Sequence, residues 1–349
     1  GDVPWEPPPQ PPPPPPRPSP PPTPTRTAAI LPQRITGADQ HGDTFVGIGY
    51  DGSADAAWWT RALVQTMLDA RSAVRISRDG TIGVGSIPAS NYTAIWSVLA
   101  TGAQTNLTTS AYAFGISPDN TLILGGAVLG AAPAKVWTRA TGALTTLADV
   151  SSGPGYLANA LSIATGITAN NSLIVGMSRG VACTWAWPGG AVTALGNPNG
   201  STAGGIDLWG YVGTTAGGIA MACSDDGRII VGQSSSGIGA ALPVYWVGSR
   251  GAINYLPLLP GDTHGYAFDC SADGSVMVGM SGIGLGVNTN PCVWINGDVL
   301  ELPLPAGSQG SVPWAFAVSA DGRTAAGGSG SYSPSPGLTL PTWWNLNPV

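Results

Sequence analysis

A hydroxyl and a carboxylate two residues apart, followed by a turn residue, recur down this sequence and are its first candidates for chemistry. Ser77 and Asp79 stand in "ISRDGTIGVG" (76–85). The pattern returns in "ISPDNTLILG" (116–125), "ITANNSLIVG" (167–176), "CSDDGRIIVG" (223–232), "FDCSADGSVMVG" (268–279) and "FAVSADGRTAAGG" (316–328). A worn copy, "ADQHGDTFVG" (38–47), puts His41 and Gly42 at the Asp-Gly position. A serine beside a carboxylate could act as an activated nucleophile. Catalysis needs such a group once, in one asymmetric site, whereas Asp79, Asp119, Asp226, Asp273 and Asp321 recur at one place in their copies. Repetition assigns them to a turn, where Ser and Asp side chains accept backbone N–H bonds. The spacing also departs from the Ser-x-Asp-x-Gly-x-x-Trp box of sialidases, because Gly follows Asp directly and no Trp follows in register.

Four cysteines could pair as disulfides or hold a metal. Cys223 and Cys270 fill the same place in two copies, directly before the repeated Ser, and Cys183 and Cys292 share another, two residues before a Trp. Such equivalent places are core slots that other copies fill with Ile or Val, so buried thiols are expected, with no metal and no cofactor. His41 lies in the worn turn and His264 in "PGDTHGYAF", neither with a Cys or second His at ligand spacing. Asp262 beside His264 is an acid–base pairing without an assignable nucleophile. "GIGLG" (282–286) lacks the strand-to-helix context of a phosphate loop. The chain reads as a non-enzyme.

The element that must carry the repeated residues is a hairpin. Each copy reads as an alternating strand, a turn of Asp-Gly or Asn-Asn type that tolerates positive φ, and a β-branched strand stopped by Gly. A Trp in a short apolar strand follows each copy: Trp59, Trp96, Trp137, Trp185, Trp246, Trp294 and Trp343. A strand with leucines comes next, as in "GALTTLAD" (142–149) and "GAINYLPLL" (251–259). Four short strands, A to D, repeated at intervals of about 38 to 56 residues predict an all-β fold, a seven-bladed β-propeller of four-stranded blades. One blade cannot bury both faces alone, so the ring must close. The last copy ends at "TWWNLNPV" without a D strand, and "TAAILPQ" (27–33) precedes the first copy as a spare one. An N-terminal strand is therefore expected to complete the last blade and remove an exposed edge. The expected domains are a Pro-rich polyproline II arm, 1–26, and the propeller, 27–349.

The phrase resembles that of the extracellular HAF-type repeat proteins, whose units read Ser-Ala-Asp-Gly, an apolar run, Gly, then Trp and Leu. The resemblance covers residues 27–349 and implies a propeller and a surface location. The copy at 38–47 departs from it by lacking the Ser and the Asp of the turn, and those at 116–125 and 167–176 by having Asp-Asn and Asn-Asn.

Composition narrows the classes further. Charged residues make up 9% of the chain, with one lysine, Lys135, and two glutamates, Glu6 and Glu301. That is too few for the i, i+4 pairs of solvated helices. A net charge of -6, with no cluster of Arg or Lys among stacking aromatics, argues against nucleic acid. No run of eighteen apolar residues marks a membrane span. The start at Gly1, without Met or a leader, favours a mature secreted chain over a cytosolic one trimmed of its Met. Sequons at Asn91, Asn106, Asn170 and Asn199 are glycosylation candidates.

Residues 4–25 hold fifteen prolines, among them Pro4, Pro11, Pro16 and Pro22, with Trp5 near the start. They favour a polyproline II rod rising about 3.1 Å per residue. A rod without internal hydrogen bonds is ordered by what holds it, so the arm is expected to dock on a copy of the chain or a neighbouring subunit, or to carry glycans. Its Ser-Pro and Thr-Pro steps resemble hydroxyproline-rich extracellular glycoproteins. Arm plus disc suggests a structural or display subunit of an extracellular assembly, on a cell-surface filament or appendage or a virion exterior. The alternative is a lectin or adhesin working as a single chain, and a third reading is a glycan-active enzyme. Short, uniform A–B and C–D turns and long, varied B–C and D–A connections should place the variable loops on one face. Trp209, Tyr211, Trp314 and Tyr332 are the candidates there for stacking on sugars.

Overall fold

The computed structural model describes residues 25–26, 33–49, 57–61, 65–67, 72–87, 93–127, 132–152, 156, 161–196, 204–206, 212–214, 218–235, 241–250, 252–284, 287–305, 313–329 and 340–346. The described residues are all β, with no helix among them and so none long and apolar enough to cross a membrane. The unit that opens at Ser72 shows the plan. Strands A (Ser72–Ile76), B (Ile82–Ile87), C (Thr93–Val98) and D (Gln104–Thr109) each run antiparallel to the one before. The same four-stranded meander opens again at Gln33, Ala111, Ile163, Gly218 and His264.

The unit opening at Trp314 supplies only three strands in sequence, Trp314–Val318, Thr324–Ser329 and Leu340–Asn345. Its fourth is Thr25–Arg26, with Thr25 opposite Trp343 and Arg26 opposite Thr342. The N-terminal segment thus joins the last sheet, but through residues on the arm side of the expected boundary. Most of "TAAILPQ", 27–32, lies outside the described residues. Strand A of each unit touches strand A of the next, from Gln33–Ala38 onward, and Trp314–Val318 touches Gln33–Ala38 again. The innermost strands therefore form a closed circuit around an axis.

Every strand A carries a bulge where its register against strand B slips, as between Ala267 and Asp269. A bulge bends the strand and turns one extra residue out of the ladder. Here it presses the carbonyl oxygens of Tyr112, Ile163, Ile219, Tyr266 and Trp314 onto Gly125, Gly176, Gly232, Gly279 and Gly327, where no Cβ would fit. These glycines were expected to stop strand B, and they do not. Leu173–Ser178 runs on past Gly176, and Val276–Gly284 past Gly279. The repeat keeps Gly there because a neighbouring backbone comes close.

Trp137, Trp185, Trp246 and Trp294 are fully buried on strand C, opposite Ile123, Ile174, Ile230 and Met277. The indole N–H groups of Trp185, Trp246 and Trp294 donate to the carbonyl oxygens of Ala148, Gly196 and Pro257, just past strand D of the preceding unit, at 2.6–2.9 Å. Trp344, opposite Ala325, does the same to Pro303 at 2.7 Å. The last unit therefore uses Trp344 in this slot, not Trp343. In the Ser72 unit the slot belongs to Ser97, opposite Gly83, and Trp96 is on the other face. A one-residue offset reverses a strand side chain's face. Trp96 instead lies 5.1 Å from the Arg139 guanidinium, and Trp343 stacks on Phe45 of the first unit at 5.6 Å.

Candidate functional site

The repeated Ser and Asp are consumed by the A–B turns, which are five residues long in each unit: 39–43, 77–81, 117–121, 168–172, 224–228, 271–275 and 319–323. In the turn at 77–81 the Ser77 hydroxyl donates to Asp79 at 2.6 Å and accepts from the N–H groups of Thr81 and Ile82 at 3.1 and 2.9 Å. The Asp79 carboxylate accepts from both the N–H and the hydroxyl of Thr81. The fourth turn residue has positive φ throughout: Gly42, Gly80, Asn120, Asn171, Gly227, Gly274 and Gly322. In the worn copy Asp39 replaces the serine, its carboxylate accepting from the N–H groups of His41, Asp43 and Thr44. Asn170 fills the Asp place, bonded to Thr168 and Ser172.

These turns also join units. The Asn120 side chain donates to Asp79 at 2.8 Å and Asn171 to Asp119 at 2.7 Å, while His41 Nδ1 lies 3.2 Å from Asp321. Burial pushes the Asp79 carboxyl up, but bonds from Ser77, Thr81 and Asn120 outweigh it and hold it below the ordinary value. Asp119, Asp273 and Asp321 are lowered through the same balance. A serine whose proton faces a carboxylate held below its ordinary pKa, and whose oxygen already accepts two N–H groups, has only a weakened base beside it and its lone pairs are engaged. The rim is structural.

Chemistry that is not repeated lies on the axis. A cavity of about 140 Å³ is lined by strand-A ends and A–B turns from all around the circuit. Arg78 and Asp225, from units that are not neighbours, form a two-pronged ion pair at this cavity, one of its bonds 2.7 Å. Deeper, Arg75 donates to the carbonyl oxygens of Thr36 and Phe268, at 2.6 and 3.4 Å. Asp269 accepts from the N–H groups of Cys270 and Val318, at 3.0 and 3.2 Å. Burial raises its pKa, opposed by Arg75 and those two bonds. Sequence reading missed both residues, although a signal existed. Four places before the turn Asp the copies read Gly37, Arg75, Gly115, Gly166, Ala222, Asp269 and Ala317. Only two of these seven carry charge.

The four cysteines are free thiols, Cys183, Cys270 and Cys292 buried and Cys223 half-buried at the cavity wall. Burial, with Asp225, Asp269 and Asp226 nearby, pushes the Cys223 thiol up to about 12, and the other three are also raised by burial first. None is a thiolate at neutral pH. Asp262 does not pair with His264. It accepts from Ser281 at 2.6 Å, and His264 Nδ1 lies 2.8 Å from the Thr263 hydroxyl. A matching anchor was overlooked in sequence, where Asp149 binds Ser162, Ser178 and Arg179.

Among the aromatic candidates Trp314 is a correction. It begins a strand A, is 2% exposed and gives its indole N–H to Thr289 at 3.0 Å, so its ring packs among Phe268 and Phe316 and is not presented to a sugar. Trp209, Tyr211 and Tyr332 lie outside the described residues, as do Pro4, Trp5, Pro11, Pro16, Pro22, Asn91 and Asn199. Asn106 and Asn170 are exposed. The B–C and D–A connections do share one edge of each meander, opposite the A–B turns. They are not all long, since B–C is two residues at 179–180 and 285–286, and Ser110 alone links Gln104–Thr109 to Ala111–Ile116.

No family model matches the sequence, and no curated protein matches it. Solved structures do. The β-propeller domain of Cps50 (Swd1) from Myceliophteria thermophila is 10% identical, with a TM-score of 0.59 over 93% of this chain and 99% of that one. TolB from Acinetobacter baumannii is 14% identical, with a TM-score of 0.49 over 78% of this chain, which spans 63% of the TolB chain. A putative TolB from Agrobacterium tumefaciens is 13% identical, with a TM-score of 0.45 over 91% of both chains. The match to the Swd1 domain, together with the closed circuit of meanders, makes this chain a β-propeller. At such identities the likeness extends to fold alone.

Proposed function

We propose that this chain is a non-enzymatic structural or display subunit of an extracellular assembly, a seven-bladed propeller docked through its Pro-rich arm onto a copy of itself or a neighbouring subunit. The observation that carries this reading is the place of the closing pair. Thr25–Arg26 takes the outer-edge position of the last sheet, beside Leu340–Asn345. The fifteen-proline stretch 4–25 runs straight into it. The arm is thus rooted on the perimeter, where it can reach a neighbour without covering either face of the disc. The meanders and the circuit of A strands support the blade count. Use of the repeated Ser, Asp, Gly and Trp in turns and seams supports a non-enzymatic role. The HAF-type resemblance and the scarcity of charge support a surface location, where packing or sugar would keep such a disc soluble. A lectin or adhesin now has to rest on Trp209, Tyr211 and Tyr332 without Trp314.

Deleting residues 1–24 leaves the closing pair in place. The truncated chain is expected to keep its circular dichroism spectrum and to stay monomeric in negative-stain images under conditions where the full chain forms filaments or particles. Normal assembly by the truncated chain would reduce the arm to a spacer and overturn the reading.

A further inference from the structure

We propose that the axial cavity binds a small zwitterion, a free α-amino acid with a short side chain, held between Arg75 and Asp269. Five of the seven equivalent positions on the A strands are Gly or Ala, and the two exceptions bring one charge of each sign to the same cavity. A residue that only served the repeat would recur with it. The two charges form no direct salt bridge, although Arg75 acts on the Asp269 carboxyl through space against the effect of burial. Among the described residues, Arg75 is bonded to two carbonyl oxygens, leaving N–H groups of its five-donor fork, and Asp269 to two backbone N–H groups, leaving acceptor capacity. No Arg75–Asp269 salt bridge is among the ion pairs of the described residues.

An anion alone would sit beside Asp269, and a cation alone beside Arg75. A molecule carrying both a carboxylate and an ammonium satisfies both sides with charge-assisted hydrogen bonds. Size sets the upper bound. The 140 Å³ cavity is close to the roughly 150 Å³ that admits benzene, so it takes about six to eight non-hydrogen atoms. Glycine, alanine, serine and threonine fall within that limit. Gly115, Gly166 and Ala222 leave the space, and Ile116, Ile167 and Met221 give a short side chain an apolar wall. The Arg78–Asp225 pair, already neutral as a unit, completes the wall without competing for the ligand.

The test is calorimetry and thermal melting of the full chain with glycine, L-alanine and L-serine, beside acetate and methylammonium, which carry one charge each. The amino acids are expected to bind and to raise Tm, with both single-charge probes at least about tenfold weaker, as the loss of a charge-assisted hydrogen bond implies. Arg75→Met and Asp269→Asn should each weaken alanine binding by a similar factor, and Ala222→Leu, which keeps both charges but fills the space, should abolish it. Should a variant fail to fold, the probe series on the unaltered chain still decides. The absence of heat and of any Tm rise with all three amino acids at about 10 mM, roughly ten times a millimolar Kd, overturns the proposal. So does acetate or methylammonium binding as well as alanine.

Discussion

Where the Ala111 unit meets the Ile163 unit, Asn171 donates to Asp119, Trp185 donates to Ala148, and the chain itself passes from one unit to the next. Where the Trp314 unit meets the Gln33 unit, His41 stands in for the asparagine, 3.2 Å from Asp321 and largely exposed. Arg61 reaches back to Thr324 and Asn345, each at 2.8 Å, and Phe45 stacks on Trp343. The last unit's fourth strand is the pair Thr25–Arg26. The sequential seam rests on a turn bond and an indole bond that recur between other units, backed by the covalent chain. At the closing seam the turn and outer-strand contacts are made by different side chains, and the last sheet is shut without a covalent link only where Thr25–Arg26 pairs with Leu340–Asn345. Local opening of a fold begins where the fewest bonds hold it, so this ring should open first at the two-residue pairing of Thr25–Arg26 with Leu340–Asn345.

The largest expected effect breaks a sequential seam. Trp294→Ala removes a fully buried indole and leaves the Pro257 carbonyl without its 2.8 Å donor, and should cost about 3–5 kcal/mol in denaturant unfolding. A loss under about 1 kcal/mol would mean that the indole is not what locks sequential units.

Asn171→Ala comes next. It removes the bond to Asp119 and the polar amide that lets asparagine tolerate φ 56° better than alanine does, for an expected loss of about 1–3 kcal/mol. Restoring turn freedom with Asn171→Gly separates the two terms. If glycine recovers the whole loss, the inter-unit bond contributes nothing.

Acid acts on all the turns together. Asp79, Asp119, Asp273 and Asp321 have folded pKa values below the unfolded value of 3.8, so the unfolded chain takes up protons first as pH falls. Their contribution is fully present above the unfolded value and is lost as pH drops through the folded one. Tm should hold from neutral pH to about 5 and decline below about 4. A decline beginning near pH 6 would point away from these carboxylates.

His41→Ala should be the mildest change, about 0.5 kcal/mol or less, because the His41–Asp321 contact is solvent-exposed. Amide exchange in Leu340–Asn345 sharpens the comparison. Protection there should fall below that of Val287–Ile295 in the unaltered chain, and further in the variant. Equal protection in the two strands would show that both kinds of seam are equally firm.

The repeated turn was legible because its chemistry is local: positive φ calls for Gly or Asn, and the Ser and Asp bonds close within five residues. Strand order followed from the spacing of the phrase. The errors came from register, which local sequence does not carry. "TWWN" offers two tryptophans, and only the pairing of Ala325 with Trp344 decides which one faces the preceding unit. The glycine of strand B looked like a terminator because the bulge that needs it lies in another strand. Trp314 looked like a loop aromatic because "GSQGSVPW" hides where strand A begins. Arg75 and Asp269 were visible as a broken column, but a break gains meaning only once the column is known to surround an axis.

The two-residue closing strand has a mechanical consequence. Any tension carried by a segment preceding Thr25 enters the disc at the one place where the ring is held shut without a covalent link. A pull directed along that strand loads its hydrogen bonds in shear, all at once, until they yield. Tether and clasp are then the same few atoms, so a molecule hauled by its N-terminus would part at the ring's fastening before the sheets themselves unravel.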